Sequence, residues 1–426
     1  MQVTLSYDLN GLPLEIPETP GFQGILEPSQ APALANPEAA ILQSLRTPIK
    51  TQPLNKLAQK CRSACIVISD KTRPVPNKLI LPPLLAEIEN AGIAKEAITI
   101  LIATGIHRPN EGEELISLVG AKIAENYHII NHFSKEVDEM VLVGEVNDGI
   151  PALINRHYIA ADLKILTGFI EPHMWAGFSG GRKSILPGIS SIETLEYMHG
   201  PEMIAHPKTV YGALAGNPFH EAGLAVMKKA GADFIVNVTL DTKKKITRVF
   251  AGDPVAAHLE GCNFLAPFCT RELETPLDFI VTCNAGAPLD CNLYQTVKGI
   301  TGAAPVVKVA GEILIASACS EGAGSPEYIE ILKMVDNPKS FIERLMAREF
   351  FIPDQWCAQE TYQVMLNHPV WLYSDGLKPD EIESYHMQPV KSLEQAITEL
   401  LQKHGPKARW AVVPDGPLLI LRMKKL

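Results

Sequence analysis

Short, uninterrupted apolar runs, each stopped by a polar cluster rich in glycine or proline, set the rhythm of this chain. Ala64 to Ser69, Ala97 to Ala103, Asp162 to Phe169 and Leu277 to Cys283 are such runs. Strands that alternate apolar and polar residues have one wet face; continuous runs predict parallel strands covered on both. Further strands are expected over 127–132, 140–146, 312–319, 370–374 and 409–414. Residues 233–240 and 246–250 alternate and predict a hairpin with its turn at 242–245. Between the strands, amphipathic stretches predict helices over 55–62, 77–90, 110–119, 192–198, 253–264, 292–300, 337–348, 355–365 and 393–403. Residues 1–53 are proline-rich, with one or two early strands and then an extended segment, and 267–276 reads as a hinge. Alternating strands and helices predict an α/β fold with doubly wound, mostly parallel sheets.

The polar clusters fall where such folds hold ligands, at the carboxyl ends of strands. The first run ends in Asp70-Lys71-Thr72-Arg73-Pro74, the second in Thr104-Gly105-Ile106-His107-Arg108, the third in Glu171-Pro172-His173. Arg73 suits bidentate capture of a carboxylate or phosphate, although an Asp70–Arg73 pair that only closes the loop gives the same spacing. Near the start of the second half, Tyr294 and Lys298 stand four apart and Gln295 and Lys298 three apart on one helix face. A phenol, an amide and an ammonium so placed suit a small hydroxylated anion, or a solvated face.

The densest chemistry lies in Gly177-Phe-Ser179-Gly180-Gly181-Arg182-Lys183-Ser184, followed by Pro187-Gly188, His199 and Gly216-Asn217-Pro218-Phe-His220-Glu221. The glycines let backbone N–H groups approach an anion, but Arg182 stands where a phosphate-binding P-loop needs glycine. A lysine beside Arg182 in a buried loop would have its charged form disfavoured, which suits a nucleophilic or covalently modified amine. His199 alone reads as a capped histidine or a metal ligand.

Taken together, Glu171-Pro-His173, Gly177-x-Ser-Gly-Gly-Arg-Lys183-Ser, Pro187-Gly188, His199 and Gly216-Asn-Pro-x-His220-Glu221 resemble the nickel-dependent lactate racemase family. The resemblance covers residues 70–356. It implies two α/β domains with the active site in the cleft between them. It implies a racemase or epimerase acting at C2 of a 2-hydroxy acid by reversible hydride transfer to a nickel-pincer nucleotide, with His107 and His173 as general acid/bases. That cofactor is a pyridinium-3-thioamide-5-thiocarboxylic acid mononucleotide carrying nickel. By resemblance Lys183 is its covalent tether and His199 the nickel ligand. Arg73, Tyr294, Gln295 and Lys298 bind substrate. Asp70, Thr72, Ser179, Gly180, Gly181 and Trp356 line the cofactor. Host cofactor-biosynthesis enzymes are then partners. Met174-Trp175 sets a bulky pair beside His173, so the substrate need not be lactate.

A chain of 426 residues suggests two domains. The expected division is 1–268, an N-terminal cofactor-binding domain, and 277–408, a C-terminal domain, with 409–426 a tail packing back on the first. Net charge −10 with no basic tract argues against a nucleic-acid surface. No signal sequence or long apolar span is seen, so a cytoplasmic protein without membrane contact is expected. The eight dispersed cysteines form no C-x-x-C pair. Two other classes stay open: a non-catalytic nickel-cofactor or nucleotide-binding protein, and an NAD-dependent hydroxy acid dehydrogenase. The latter lacks G-x-G-x-x-G after its first long strand.

Overall fold

The computed structural model describes residues 1–146 and 149–424. Its first sheet has six strands in the order Ile246–Gly252, Phe234–Leu240, Leu163–Phe169, Ala64–Ser69, Ile98–Ala103 and His128–Asn131. All neighbours are parallel except the first two, the expected hairpin. Its turn forms because the Asp241 carboxylate accepts the N–H groups of Lys243 and Lys245, at 2.9 and 2.8 Å.

The second sheet runs Gln388–Val390, Val370–Tyr373, Val307–Ala316, Leu277–Cys283, Trp410–Val413 and Phe22–Ile25, parallel throughout. The continuous apolar runs are explained by the layers. Ile66 and Ile68 face one cluster, and Cys65 and Val67 the other. In the second sheet Phe279 and Val281 face outward-side helices while Ile280 faces the shared core. That shared core takes side chains from both sheets and joins the two halves.

Helix Asn77–Asn90 begins right after Pro76, and helix Leu293–Ala303 begins at Asn292, whose side chain accepts the Gln295 N–H at 3.0 Å. Helices Ile192–Met198 and Gln355–Met365 also occupy their expected spans.

Three expectations are corrected. Residues 267–276 are no hinge: helix Ala256–Cys269 continues into strand Thr270–Leu273, which pairs with Ile420–Met423. The second domain does not end at 408: Trp410–Val413 fills a place inside its sheet, while Gly416–Leu418 packs against Pro172–His173 and Ile420 against Gly212 of the first domain. The chain's start belongs to the second sheet too: Phe22–Ile25 covers the edge of Trp410–Val413, and the Phe22 and Trp410 rings lie 4.6 Å apart. Strand Met140–Val146 is present, but pairs with Ile150–Asn155 as a separate hairpin that the pattern did not announce.

Among the described residues no helix is long and apolar enough to cross a membrane.

Candidate active site

In the first sheet the chain goes from Ala64–Ser69 outward to one side and returns on the other with Leu163–Phe169. The reversal leaves a crevice at the carboxyl ends of these two neighbours. Loops after Ala64–Ser69, Ile98–Ala103 and Leu163–Phe169 enter it, and helices Leu293–Ala303 and Gln355–Met365 of the second half close it from above. Asp70, Thr72, Arg73, His107, His173, Ser179, Gly180, Lys183, His199, Tyr294, Gln295, Lys298 and Trp356 all line this one cavity.

Gly181 does not. Its N–H donates to the Asn237 side chain at 2.9 Å, and a Cβ there would lie 2.9 Å from His258. The glycine turn is accordingly no open phosphate nest. Ser179 N–H reaches Glu171 O at 2.9 Å, and Ser179 Oγ donates to Phe169 O at 2.9 Å. Gly180, with φ 79°, has no room for a side chain: a Cβ would meet Asn237 at 2.6 Å.

The two imidazoles are held in opposite proton arrangements. His107 Nδ1 lies 2.7 Å from Asp70 Oδ2, so it carries the proton and leaves Nε2 as an acceptor. Asp70 is buried, and burial alone would raise its carboxyl. The hydrogen bond from His107, the Thr72 hydroxyl at 2.6 Å and the charge of Arg73 outweigh that and hold it below its ordinary value. Asp70 therefore orients His107; Thr72 in turn holds Asp70.

His173 is arranged the other way. Its Nδ1 accepts the N–H groups of Trp175 and Ala176, at 3.2 and 3.3 Å. The ring proton must then sit on Nε2, which faces Lys183 Nζ at 3.2 Å. Burial first, and then the nearby cations Arg73, Lys298 and Arg182, keep this imidazole uncharged.

Lys183 is also driven toward neutrality, by burial first and then by Arg73 and Arg182. The Glu171 carboxyl opposes this, and so does the Phe219 ring, whose centre lies 5.5 Å from Nζ. The ring contact is worth about 0.5–2 kcal/mol, against the several kcal/mol lost when an ammonium leaves water. Lys298 is pushed down to about 8, by burial and then by Arg73. The Glu171 carboxyl goes up through burial, although Arg73, Lys298 and Lys183 oppose this.

His199, at the end of helix Ile192–Met198, donates Nδ1–H to Leu195 O at 2.8 Å. Its Nε2 lone pair stays unprotonated, because burial pushes the ring down to about 4. The Trp356 ring lies tilted 4.9 Å from it and donates Nε1–H to Tyr294 Oη at 2.9 Å. Trp175 meets the same imidazole edge-on at 5.1 Å.

Sequence reading missed Cys357 and Leu195, which line the cavity, and Asn237 and His258, which buttress the turn. No motif marks them. They come from distant elements and look like ordinary core positions.

Two imidazoles of opposite proton order, an uncharged lysine and a cluster of cations, set between two α/β halves, define an acid–base enzyme. Family models for the lactate racemase N-terminal and C-terminal domains match residues 7–212 and 273–421. The lactate racemase of Thermoanaerobacterium thermosaccharolyticum is 36% identical over 99% of both chains. That of Lactiplantibacillus plantarum is 39% identical over 90% of this chain and 91% of its own. The solved lactate racemase apoprotein from T. thermosaccharolyticum superposes with a TM-score of 0.93, covering 99% of this chain and 100% of that one. A Thermotoga maritima protein, 18% identical with a TM-score of 0.69 over 91% of this chain and 98% of its own, shares the fold. The chain belongs to the lactate racemase family and is an enzyme of the racemase type.

Proposed function

We propose that this enzyme interconverts the stereoisomers of a 2-hydroxy acid at C2, with lactate the first candidate, using a nickel-pincer nucleotide held by Lys183 and His199. The observation that carries the reading is the pair His107 and His173, one an acceptor and one a donor, in a single cleft with Arg73 and Lys298.

The residues fit the cofactor. Among the described residues no three His, Cys, Asp or Glu side chains converge on a metal site, so a metal beside His199 needs its other donors from a bound group. His199 offers one neutral Nε2 lone pair, as a nickel ligand requires. Lys183 offers an uncharged amine, as covalent attachment requires. When bound, the nickel-pincer nucleotide supplies an acceptor for the Cα hydrogen as hydride, a hydrogen no ordinary side-chain base can remove as a proton.

The chain's own residues do the rest. Arg73 and Lys298 pair with the substrate carboxylate. His107 Nε2 takes the hydroxyl proton while Asp70 holds its other nitrogen and stabilises the charge gained. His173, from a different strand end, hydrogen-bonds the reacting oxygen through its Nε2–H, and the proton held by His107 returns to that oxygen when the bound 2-oxo acid is reduced again. Either enantiomer uses the same two imidazoles. Tyr294 and Gln295 border the same space from helix Leu293–Ala303. The apolar lining from Met174, Trp175, Leu195 and Val297 excludes water.

The test is a chiral assay over lactate and larger 2-hydroxy acids, on protein made in cells that synthesise the cofactor, with peptide mass mapping at Lys183. A nickel- and sulfur-containing nucleotide adduct on Lys183 together with racemisation is expected. Racemisation by a Lys183→Ala variant would overturn the reading.

A further inference from the structure

Arg182 is one of the largest fully buried side chains in the molecule, 1% exposed, yet among the described residues no carboxylate pairs with it. A buried, unpaired guanidinium is costly, so its presence calls for a reason. Its fork instead gathers carbonyls. Nη1 donates to Phe178 O at 3.0 Å and Gly180 O at 3.2 Å, and Nη2 to Ala176 O at 2.6 Å. All three belong to the short stretch between His173 and Lys183. His258 Nε2 lies 3.1 Å from Nη1 but also 2.9 Å from Ser179 O, to which it gives its proton; it therefore brings Arg182 no negative charge. Gly223 makes room for the stem, since a Cβ there would lie 2.8 Å from Arg182 Cγ.

The hydrogen-bond order on the other side of this stretch is equally constrained. Ala176, whose carbonyl Arg182 holds, gives its N–H to His173 Nδ1. With Nδ1 an acceptor, His173 Nε2 carries the proton, and Lys183 Nζ at 3.2 Å must accept it. An ammonium has no lone pair and cannot accept.

We propose that Arg182 is a positioning residue that holds the 176–180 stretch and, adding its uncompensated charge to burial and to Arg73, keeps Lys183 a free, uncharged amine ready for acylation. The inference rests on the reading above only for what that amine is used for.

The experiment is competitive acetylation of the cofactor-free protein with acetic anhydride, from about pH 6 to about pH 11, across the ordinary lysine value of about 10.4. Peptide mass spectrometry reads each lysine. In the reaction Nζ forms the bond to the acyl carbon, acetate leaves with the C–O pair and a proton goes to solvent. The midpoint of the pH profile reports charge; the lowering by burial and by Arg73 is common to the unaltered protein and its variants, so the share of Arg182 is read as the difference between their midpoints. Lys183 is expected to titrate at least about one unit below the surface lysines. Arg182→Met should raise the midpoint and slow labelling at neutral pH by about tenfold or more. Arg182→Lys keeps a cation and should keep the midpoint low. An ordinary Lys183 midpoint in the unaltered protein overturns the proposal, and so does an unmoved midpoint in a folded Arg182→Met protein. Should Arg182→Met fail to fold, the unaltered protein and Arg182→Lys decide, a raised midpoint in the latter counting against it. No cofactor or turnover enters this assay. A low midpoint beside an active Lys183→Ala enzyme would sink only the cofactor reading, and an ordinary midpoint beside a Lys183 adduct only this one.

Discussion

At the scale of the residue, proton placement decides the chemistry. His107 and His173 differ not in kind but in which nitrogen the surroundings occupy: a carboxylate at Nδ1 of one, two backbone N–H groups at Nδ1 of the other. On the proposed reading, replacing either with Gln is expected to lower kcat by about 10²–10⁴-fold while the nickel content of protein made with the cofactor, read by elemental analysis, stays unchanged; loss of nickel would make them ligands instead. Asp70 titrates below the ordinary carboxylate range. Its ionised bond to His107 thus supports the fold at neutral pH, and that stabilisation is lost as pH falls through the depressed value. Asp70→Asn removes the charge and should cost about tenfold or more in kcat/KM at every pH. Lys298 behaves oppositely. In the proposed role it grips a carboxylate only as a cation, so KM in the unaltered enzyme should climb as pH rises through about 8. Lys298→Arg, charged up to about pH 12 or beyond, should abolish that climb in a pH–KM profile.

At the scale of the element, caps aim the site. Helix Leu293–Ala303 places Tyr294, Gln295 and Lys298 through one N-cap, Asn292, while Asn284 fixes the same helix by donating to Gln295 O at 2.9 Å. Asn292→Ala is expected to cost about 1 kcal/mol in denaturant unfolding and to raise KM more than it lowers kcat, because the substrate-facing turn frays first. These faces were legible beforehand. The spacing of Tyr294 and Lys298, and the continuous runs that end at Asp70, His107 and His173, needed only local periodicity. The hairpin Met140–Val146 with Ile150–Asn155 was half legible, since its second strand lacks alternation and is defined by its partner. Helix Ala256–Cys269 ran through Pro267, where local propensity predicts a break, because its packed faces override that residue.

At the scale of the whole molecule, the two halves are tied at the site itself. His199 of the first packs against the tilted ring of Trp356 of the second. Gln359 donates to Pro201 O at 2.8 Å, and Tyr211 to Lys298 O at 3.1 Å. Arg348 and Glu202 pair on the surface across the same seam. Gln359→Ala leaves a buried carbonyl without its donor and should cost about 1–3 kcal/mol in thermal or denaturant unfolding. Arg348→Ala should cost under about 1 kcal/mol, since exposed ion pairs contribute little.

The sequence by itself determined the strands, most helices, the strand-end loops and the residue types that meet in the cleft, because apolar period, caps and turn residues act over a few positions. Only the tertiary structure decided which sheet the two ends of the chain enter, that Gly181 turns away from the cavity, and which nitrogen of each histidine bears its proton. Those outcomes depend on partners such as Asn237, His258 and Ala176 that packing alone brings to bonding distance.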